Sequence, residues 1–531
     1  MRILKRALAV WMIAALIPCC FAEEGIVPSE LDGGLEASVS VWQGDPYDAD
    51  LLVGYVAQDY AQVNPFYCNE QDLVSVNQLV FESLVTLNEN QKPVPQLADN
   101  WTHEGADWVF TLRSGINFHD GAEMTAYDVV ASYQAFIANA NSNPYGSRLS
   151  LFIEDMQAID DRQLQVKGRY TGYMTLYAMD FPVVHASTTN DTMPRGTGAF
   201  WYVAYNDASY VRIEANPLWW KQQPTLSSIT FRRYASASDA LEALHTREVE
   251  MLATRSSSAA FSRKLSEFAS LDFATTTYEM LLPNLSDQSV MSDVNVRKAV
   301  MYAMDRSAIV SSAYLDMAIQ SEVPVLPGTW LYESQSAVFY YSPERALQLL
   351  YDSGWKDLTG DANLNKLDGI KLTDLTVNII TYNDGESSIR GNAAKLIADY
   401  LSVVGVKANV EVLTRDKVMS RIDDRDYDLA LIGVNLSEIP ALQPLLSGGG
   451  ALNFNRYSND NMNEYLSQTL TVESEDELKQ VYSSIQMELV DRLPILGLLF
   501  RTGTVLSTRA MGGMSGARSM DMFRGMEYLS E

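Results

Sequence analysis

Residues 76–136 read VNQLVFESLVTLNENQKPVPQLADNWTHEGADWVFTLRSGINFHDGAEMTAYDVVASYQAF, and this stretch holds more structural signals in one order than any other part of the chain. Between residues 108 and 113, apolar and polar side chains alternate with a period of two, which predicts a strand returning from a turn at 103–107. Thr125 and Asp128 have the spacing of a capping box, so a helix is predicted to begin there. An earlier helix is predicted from one apolar stripe: Val76, Leu79, Val80 and Leu84.

The rest of the chain also alternates between strand-like and helix-like segments, which is typical of an α/β protein. Residues 375–381 and 406–413 are predicted strands, and residues 387–404 between them form a predicted amphipathic helix. Such a βαβ unit implies a parallel sheet with its ligand cleft at the carboxyl ends of the strands. With 531 residues, of which 47% are apolar, the chain is long enough for two or three domains.

The chain is strongly acidic, with a net charge of −28. Its first 22 residues contain Arg2, Lys5 and Arg6 and no acid, which leaves −31 on the remainder. A surface of this sign repels phosphate backbones, so nucleic acid is not expected as a partner.

The N-terminus is predicted to be a signal peptide that covers residues 1–22. Its apolar run, Ala7–Ile17, has 11 residues and is too short to span a bilayer, and cleavage is predicted after Ala22. Lipid attachment at Cys19 or Cys20 is the alternative. Both readings predict an extracytoplasmic protein, located in the periplasm or on the outer face of the cell membrane.

A series of short motifs follows in a fixed order along nearly the whole chain. The motifs are Val63–Pro65, Phe81–Val85, Pro95–Trp101, Phe110–Gly121, Thr125–Tyr133, Gly196–Phe200, Asn216–Trp220, Val296–Arg306, Ala346–Trp355, Ala398–Val406 and Arg492–Ile495. Each motif is weak alone, but the ordered set resembles the family 5 extracytoplasmic solute-binding proteins of ABC importers. Members of that family bind oligopeptides, dipeptides and nickel complexes.

The resemblance implies a two-lobed fold of the type II periplasmic-binding class, with an additional domain and a hinge between the lobes. A ligand in the cleft would favour the closed state because it contacts both lobes. The expected parts are a flexible leader at 23–36, a first lobe at 37–66, 183–278 and 500–531, an additional domain at 67–182, and a second lobe at 279–499.

The resemblance also points to one position for ligand recognition. In peptide-binding relatives, an Asp in a Trp-x-x-Asp-Tyr pattern pairs with the ammonium group of the peptide. In this chain Val434 replaces the Trp, and Ser437 occupies the Asp position with Glu438 beside it. If Glu438 turns inward it can hold an ammonium group, because a buried charge needs a partner. If it does not, the ligand is expected to lack a free N-terminus.

Other candidate ligand-binding residues follow from position alone, with a structural role as the alternative for each. Arg390 and Arg421 are candidates to meet a ligand carboxylate, because a guanidinium pairs with that group in a bidentate manner. The remaining candidates are Tyr67, Cys68, Asn69, Trp330, Tyr382, Asn383 and Asn435. Since Cys68 is the only cysteine beyond the signal peptide, no internal disulfide is expected.

Catalytic and metal-binding patterns are weak in this sequence. Residues 513–517 lack the last glycine of the Gly-x-Ser-x-Gly nucleophile elbow, so no enzyme activity is predicted. The four histidines lack metal-ligand spacing, and we expect neither a cofactor nor a metal site. Residues 361–369 resemble a calcium loop without its central glycine and final glutamate, and a solvated loop is the preferred interpretation.

These observations predict a solute-binding protein that captures a small solute and delivers it to an ABC importer. A peptide is the preferred expectation for that solute. The expected partners are that ligand and the membrane permease, and the protein is expected to be a monomer. Two alternatives stay open. The same fold can serve as a ligand sensor or receptor, or it can bind a non-peptide solute such as a nickel complex or an oligosaccharide.

Overall fold

A computed structural model describes residues 44–57, 61–384 and 388–530; the predicted signal peptide and leader lie outside these residues. The strands are β1 (Leu51–Val56), β2 (Val85–Leu87), β3 (Pro93–Pro95), β4 (Ala98–Glu104), β5 (Asp107–Leu112), β6 (Ile153–Ala158), β7 (Gln163–Gly168), β8 (Phe200–Asn206), β9 (Tyr210–Ala215), β10 (Ser228–Tyr234), β11 (Met251–Thr254), β12 (Ala269–Pro283), β13 (Ala318–Gln320), β14 (Asn365–Asp368), β15 (Lys371–Asp374), β16 (Thr376–Tyr382), β17 (Lys407–Leu413), β18 (Leu429–Asn435) and β19 (Leu496–Ser507).

The α-helices are distributed between these strands along the chain. They are α1 (Gln71–Val80), α2 (Ala126–Ala138), α3 (Gly146–Phe152), α4 (Ala237–His245), α5 (Val294–Ala303), α6 (Arg306–Ser312), α7 (Pro343–Asp352), α8 (Ile389–Val403), α9 (Arg415–Asp423), α10 (Gln443–Leu446), α11 (Asp460–Gln468) and α12 (Glu475–Arg492). The predicted α/β class is therefore confirmed.

One large mixed sheet organises the fold. Within the described residues it has 11 strands in the order β17-β16-β18-β12-β19-β11-β1-β10-β9-β8, and β13 also pairs with β19. Strands β16, β17 and β18 are mutually parallel, as are β1, β10 and β11. The long antiparallel strands β12 and β19 connect these two parallel groups. The lobe and domain boundaries given above stay a prediction.

The hairpin predicted from the alternating pattern is present as β4 and β5. Trp108, Phe110 and Leu112 all point to the buried side of β5, since each is at most 1% exposed. These strands belong to a separate four-stranded sheet in the order β4-β5-β7-β6. A period of two thus gave the correct face of the strand, because successive side chains leave a strand on opposite sides.

Helix α2 begins where the capping signal predicted. The side chain of Asp128 accepts hydrogen bonds from the backbone N–H and the hydroxyl of Thr125, at 3.0 and 2.8 Å. The prediction of the preceding helix was wrong at its end, because α1 stops at Val80 and Leu84 is not helical. Phe81 already has extended backbone angles, so Leu84 is buried from a loop rather than from the helix stripe.

A close contact at Gly172 joins two segments that are far apart in sequence. The backbone N–H of Gly172 donates to the carbonyl of Leu470 at 3.0 Å, and that of Tyr173 donates to the carbonyl of Val472 at 2.8 Å. A Cβ atom at position 172 would lie 2.5 Å from the Leu470 carbonyl oxygen. Only glycine allows this approach without a shift of one backbone segment.

The Gly172→Ala variant is expected to lower the free energy of unfolding by about 1–3 kcal/mol, because the added methyl group overpacks this contact. Gly449→Ala is the matched control, since a Cβ atom there meets nothing within 4 Å. Urea denaturation of both variants checks the prediction. Equal stability of the two variants would contradict it.

Candidate functional site

The pairing of the two long central strands is interrupted midway. Pairing of β12 with β19 stops at Ala274 and resumes at Tyr278, which lies opposite Phe500. Strand β18 ends at the same point, because Asn435 lies opposite Thr277. Bulged pairing of this kind bends strands and redirects side chains. The interruption therefore brings the carboxyl end of β18 next to irregular backbone of β12, and two cavities lie there.

The first cavity has a volume of about 70 Å³ and is partly open to solvent. We call it the aromatic cavity; its lining includes Tyr177, Thr275, Trp330, Ser437, Glu438 and Phe500. Three of the predicted ligand-binding residues, Trp330, Ser437 and Glu438, are thus brought together although 107 positions separate the first two.

Glu438 turns inward, into the aromatic cavity. Its Oε1 atom is buried and accepts no hydrogen bond from any described residue. Burial raises the pKa of the Glu438 carboxyl above its usual range, and the nearby Arg518 opposes this rise. A carboxylate held in this way is stabilised by any cationic group that enters the cavity.

Glu438 belongs to a group of charged side chains in which carboxylates outnumber guanidinium groups. Three guanidinium groups act on Glu438, and each also forms an ion pair with an aspartate. The pairs are Arg148 with Asp180, Arg255 with Asp72 and Arg518 with Asp521. The last pair is long at 3.8 Å, and Arg518 Nε donates no hydrogen bond to any described residue. Four carboxylates therefore share three cations.

The second cavity, which we call the charged cavity, lies at the carboxyl ends of the parallel strands. Its lining includes Tyr382 at the end of β16, Asn435 at the end of β18, and also Asp384, Arg390, Arg415 and Arg501. The predicted residues Tyr382, Arg390 and Asn435 come together here. Asn435 accepts a hydrogen bond from the Thr277 hydroxyl at 2.9 Å.

A buried ion cluster lies beside the charged cavity and is centred on Glu279, which has no exposed surface. Arg390 binds Glu279 in a bidentate manner at 2.8 and 2.9 Å, and Arg501 Nε lies 2.6 Å from the same carboxylate. Asp384 contacts both guanidinium groups, at 2.5 and 3.0 Å. Burial lowers the pKa of Arg390, but the charge of Glu279 and the hydrogen bonds to it raise this pKa more.

Arg415 has a different environment from the two arginines of the ion cluster. It is the first residue of α9, it lines the charged cavity, and its side chain is exposed. No ion pair joins it to any of the described residues. Its guanidinium group can therefore pair with an anionic group that enters the cavity.

The other predicted ligand-binding residues lie outside these two cavities. Asn69 lines a third cavity beside Arg255, whereas Tyr67 is 39% exposed. Cys68 is buried, and burial raises the pKa of its thiol to about 12, which disfavours the thiolate. Asn383 accepts the backbone N–H of Gly391 at 3.2 Å.

Arg421, on α9, is held by two carboxylates at the surface, one of which belongs to β17. Its side chain pairs with Glu411 at 2.8 Å and with Asp426 at 2.9 Å. Its predicted role in ligand binding, like those of the other candidates, stays a prediction.

Several residues of the two cavities were missed by the sequence reasoning, notably Glu279, Arg415, Arg501 and Arg518. Two of them carried a signal, because Glu279 and Arg501 interrupt the apolar runs of β12 and β19. A charge within a buried strand requires a partner, so these two positions could have been paired. Arg415 and Arg518 carry no comparable local signal.

Residues of the incomplete catalytic and calcium-binding patterns make hydrogen bonds within the protein. The Ser515 hydroxyl donates to Glu89 at 2.8 Å and lies outside helices and strands, so the strand–turn–helix of a nucleophile elbow is not formed there. In the segment at 361–369, Asp361 accepts the backbone N–H of Asn363 at 3.1 Å. The expected solvated loop is wrong for residues 365–368, which form β14 and pair with β15. In the part of the chain that the structure describes, no three or more His, Cys, Asp or Glu residues are grouped to hold a metal ion.

Comparisons with known proteins give the class of the chain. The family model "Bacterial extracellular solute-binding proteins, family 5 Middle" matches residues 92–453. Oligopeptide-binding protein AppA of Bacillus subtilis is 21% identical over 475 residues, which are 85% of this chain and 86% of that protein. The dipeptide-binding protein of Escherichia coli is 24% identical over 422 residues, 69% of this chain and 75% of that protein.

A solved structure supports the same fold. The crystal structure of the nickel ABC transporter from Bacillus halodurans aligns with a TM-score of 0.74 and 20% identity, over 90% of this chain and 98% of that one. Because the family model covers more than half of the sequence, the chain belongs to the family 5 bacterial extracellular solute-binding proteins. The resemblance seen in the sequence is thereby confirmed. Across the described residues, no helix is both long and apolar enough to cross a membrane.

The Arg390→Met variant is expected to lower the free energy of unfolding by about 3–5 kcal/mol, because it removes the bidentate partner of a buried carboxylate. Arg421→Met is the matched control, with an expected loss of at most about 1 kcal/mol, since its ion pairs are at the surface. Guanidinium chloride would screen such charges, so urea denaturation is the suitable measurement. Similar losses in both variants would show that the buried ion pairs of Glu279 contribute no more to stability than the surface ion pairs of Arg421.

Proposed function

We propose that this solute-binding protein captures peptides and delivers them to the permease of an ABC importer. The carboxylate of Glu438 carries the proposal, because it faces the aromatic cavity and its Oε1 lacks a hydrogen-bond donor among the described residues. The ammonium group of a peptide supplies the missing cation and up to three donors. AppA and the dipeptide-binding protein, whose names state peptide ligands, support this proposal.

The two cavities offer complementary groups to a peptide. In this proposal, the N-terminal ammonium binds Glu438 in the aromatic cavity and a carboxylate of the peptide binds Arg415 in the charged cavity. Thr276 lines the first cavity and the adjacent Thr277 lines the second, so the two cavities adjoin along β12. In this proposal the main chain of the peptide passes from one cavity to the other.

The interrupted pairing of β12 and β19 is proposed as the hinge between the two lobes. The protein is proposed to act as a monomer outside the cytoplasm, either in the periplasm or on the outer face of the membrane. Small-angle X-ray scattering of the mature chain tests two of these points together. The molecular mass reports the oligomeric state, and an unchanged radius of gyration on peptide addition would argue against closure.

The Glu438→Gln variant is expected to bind a free tripeptide about 10- to 100-fold more weakly, because a charge-assisted hydrogen bond to the ammonium group is lost. Isothermal titration calorimetry of the mature protein with Ala-Ala-Ala and its N-acetylated form measures the effect. The wild type should prefer the free peptide, and the variant should lose this preference. Retention of the full preference in Glu438→Gln would rule out the proposed role of Glu438.

Two further variants and a pH series complete this experiment. Glu242→Gln removes an exposed carboxylate on α4 and should change nothing. Arg415→Gln should lower the affinity for the free peptide relative to its C-terminal amide without affecting the N-acetyl comparison.

Because the pKa of Glu438 is raised, the carboxylate fraction grows as pH rises through that pKa. Wild-type affinity should rise with pH over this interval, and the Glu438→Gln variant should lack that rise.

A further inference from the structure

The lining of the aromatic cavity includes polar and apolar residues, which we call its polar side and its apolar side. Glu438, Ser437 and Arg518 belong to the polar side. The apolar side is formed by residues of three separate chain segments: Tyr177, Val325, Leu326, Trp330, Leu331 and Phe500. Of these, Val325, Leu331 and Phe500 are at most 6% exposed, so their positions are fixed by the surrounding core.

The aromatic residues of the apolar side direct their polar atoms away from a ligand. The indole N–H of Trp330 donates to the Tyr177 hydroxyl at 2.7 Å, and that hydroxyl donates to the carbonyl of Gln91 at 3.2 Å. The backbone N–H of Trp330 donates to the carbonyl of Asn90 at 3.0 Å. Each of these donors is already used within the protein, so Trp330 and Tyr177 contribute mainly their rings to the lining.

The hydroxyl groups of the polar side are also engaged. Thr275 donates to the carbonyl of Arg501 at 2.9 Å, and the Ser437 oxygen accepts the N–H of Ile439 at 3.2 Å. The Oε1 atom of Glu438 therefore stays an acceptor without a hydrogen-bond partner among the described residues. A ligand that fills the cavity must present a cationic group and an apolar group close together.

The first residue of a peptide meets this requirement, because its ammonium group and its side chain leave the same Cα atom. We infer that this protein selects peptides by their first side chain and prefers apolar ones, such as leucine and phenylalanine, because that side chain packs in the aromatic cavity. The inference rests on the proposed function, since it places the ammonium group at Glu438. It adds the chemical class of the preferred peptides.

The size of the preference follows from burial of apolar surface. A leucine or phenylalanine side chain removed from water should tighten binding roughly 10- to 100-fold relative to serine. A first residue of aspartate should be disfavoured further, because it brings a second carboxylate next to Glu438.

The inference is tested by calorimetric titration of the mature wild-type protein with two series of tripeptides. In the X-Ala-Ala series the first residue is Leu, Phe, Ala, Ser, Asp or Lys, and in the Ala-X-Ala series the same residues occupy the second position. We expect a 10- to 100-fold preference for Leu and Phe over Ser in the first series. The second series should show a smaller dependence.

A pair of matched variants tests whether the apolar side of the cavity causes the preference for Leu over Ser. Leu326→Gln places a polar group on the apolar side and should reduce the preference for Leu over Ser to within about 3-fold. Leu349→Gln changes another half-buried leucine, on α7, and should keep the wild-type preference. Thermal unfolding shows whether both variants fold. If Leu326→Gln does not fold, the inference is tested by the two tripeptide series with the wild-type protein alone.

The outcomes separate this inference from the proposed function. Equal affinity across the X-Ala-Ala series, or a larger effect in the Ala-X-Ala series, would overturn the inference while peptide binding itself stands. Loss of the preference in both variants would also count against it. If no peptide in either series binds, the proposed function fails, and the inference fails with it.

Discussion

The buried carboxylate of Glu279 is the constraint on which the centre of this molecule depends. It lies in β12 just beyond the interrupted pairing with β19, and it has no exposed surface. A buried charge persists only with cations supplied by the fold. Arg390 comes from α8 and Arg501 from β19, so one carboxylate fixes three elements around the point where the two parallel strand groups meet.

A second inward-facing glutamate, Glu438, lies near the same interruption, but its carboxylate is paired less completely than that of Glu279. Glu279 is saturated by two guanidinium groups, and it therefore belongs to the scaffold. Around Glu438, each guanidinium group has an aspartate partner, and one carboxylate oxygen accepts no hydrogen bond from the described residues. From this contrast we infer a structural role for Glu279, whereas Glu438 is the carboxylate that we propose binds the ligand.

Local structure was predictable wherever the cause was local. The alternation in β5 and the capping box of α2 were read correctly, and so was the βαβ unit of β16, α8 and β17, because each depends on residues close in sequence. Leu84 was the exception, since a stripe of apolar residues does not reveal that α1 ends at Val80. The partner of Arg390 could not be read from neighbouring residues, because Glu279 lies 111 positions away.

Ordered local motifs were enough to assign the class of this protein, because they fix helices, hairpins and turns that identify a family 5 solute-binding protein. The sequence also pointed to Glu438 as a position whose orientation matters. That orientation, and the meeting of Trp330, Phe500 and Glu438 in one cavity, could be seen only in the folded chain. The reason is physical: periodicity and capping act over a few residues, whereas charge pairing and cavity shape depend on segments that meet only when the chain is folded.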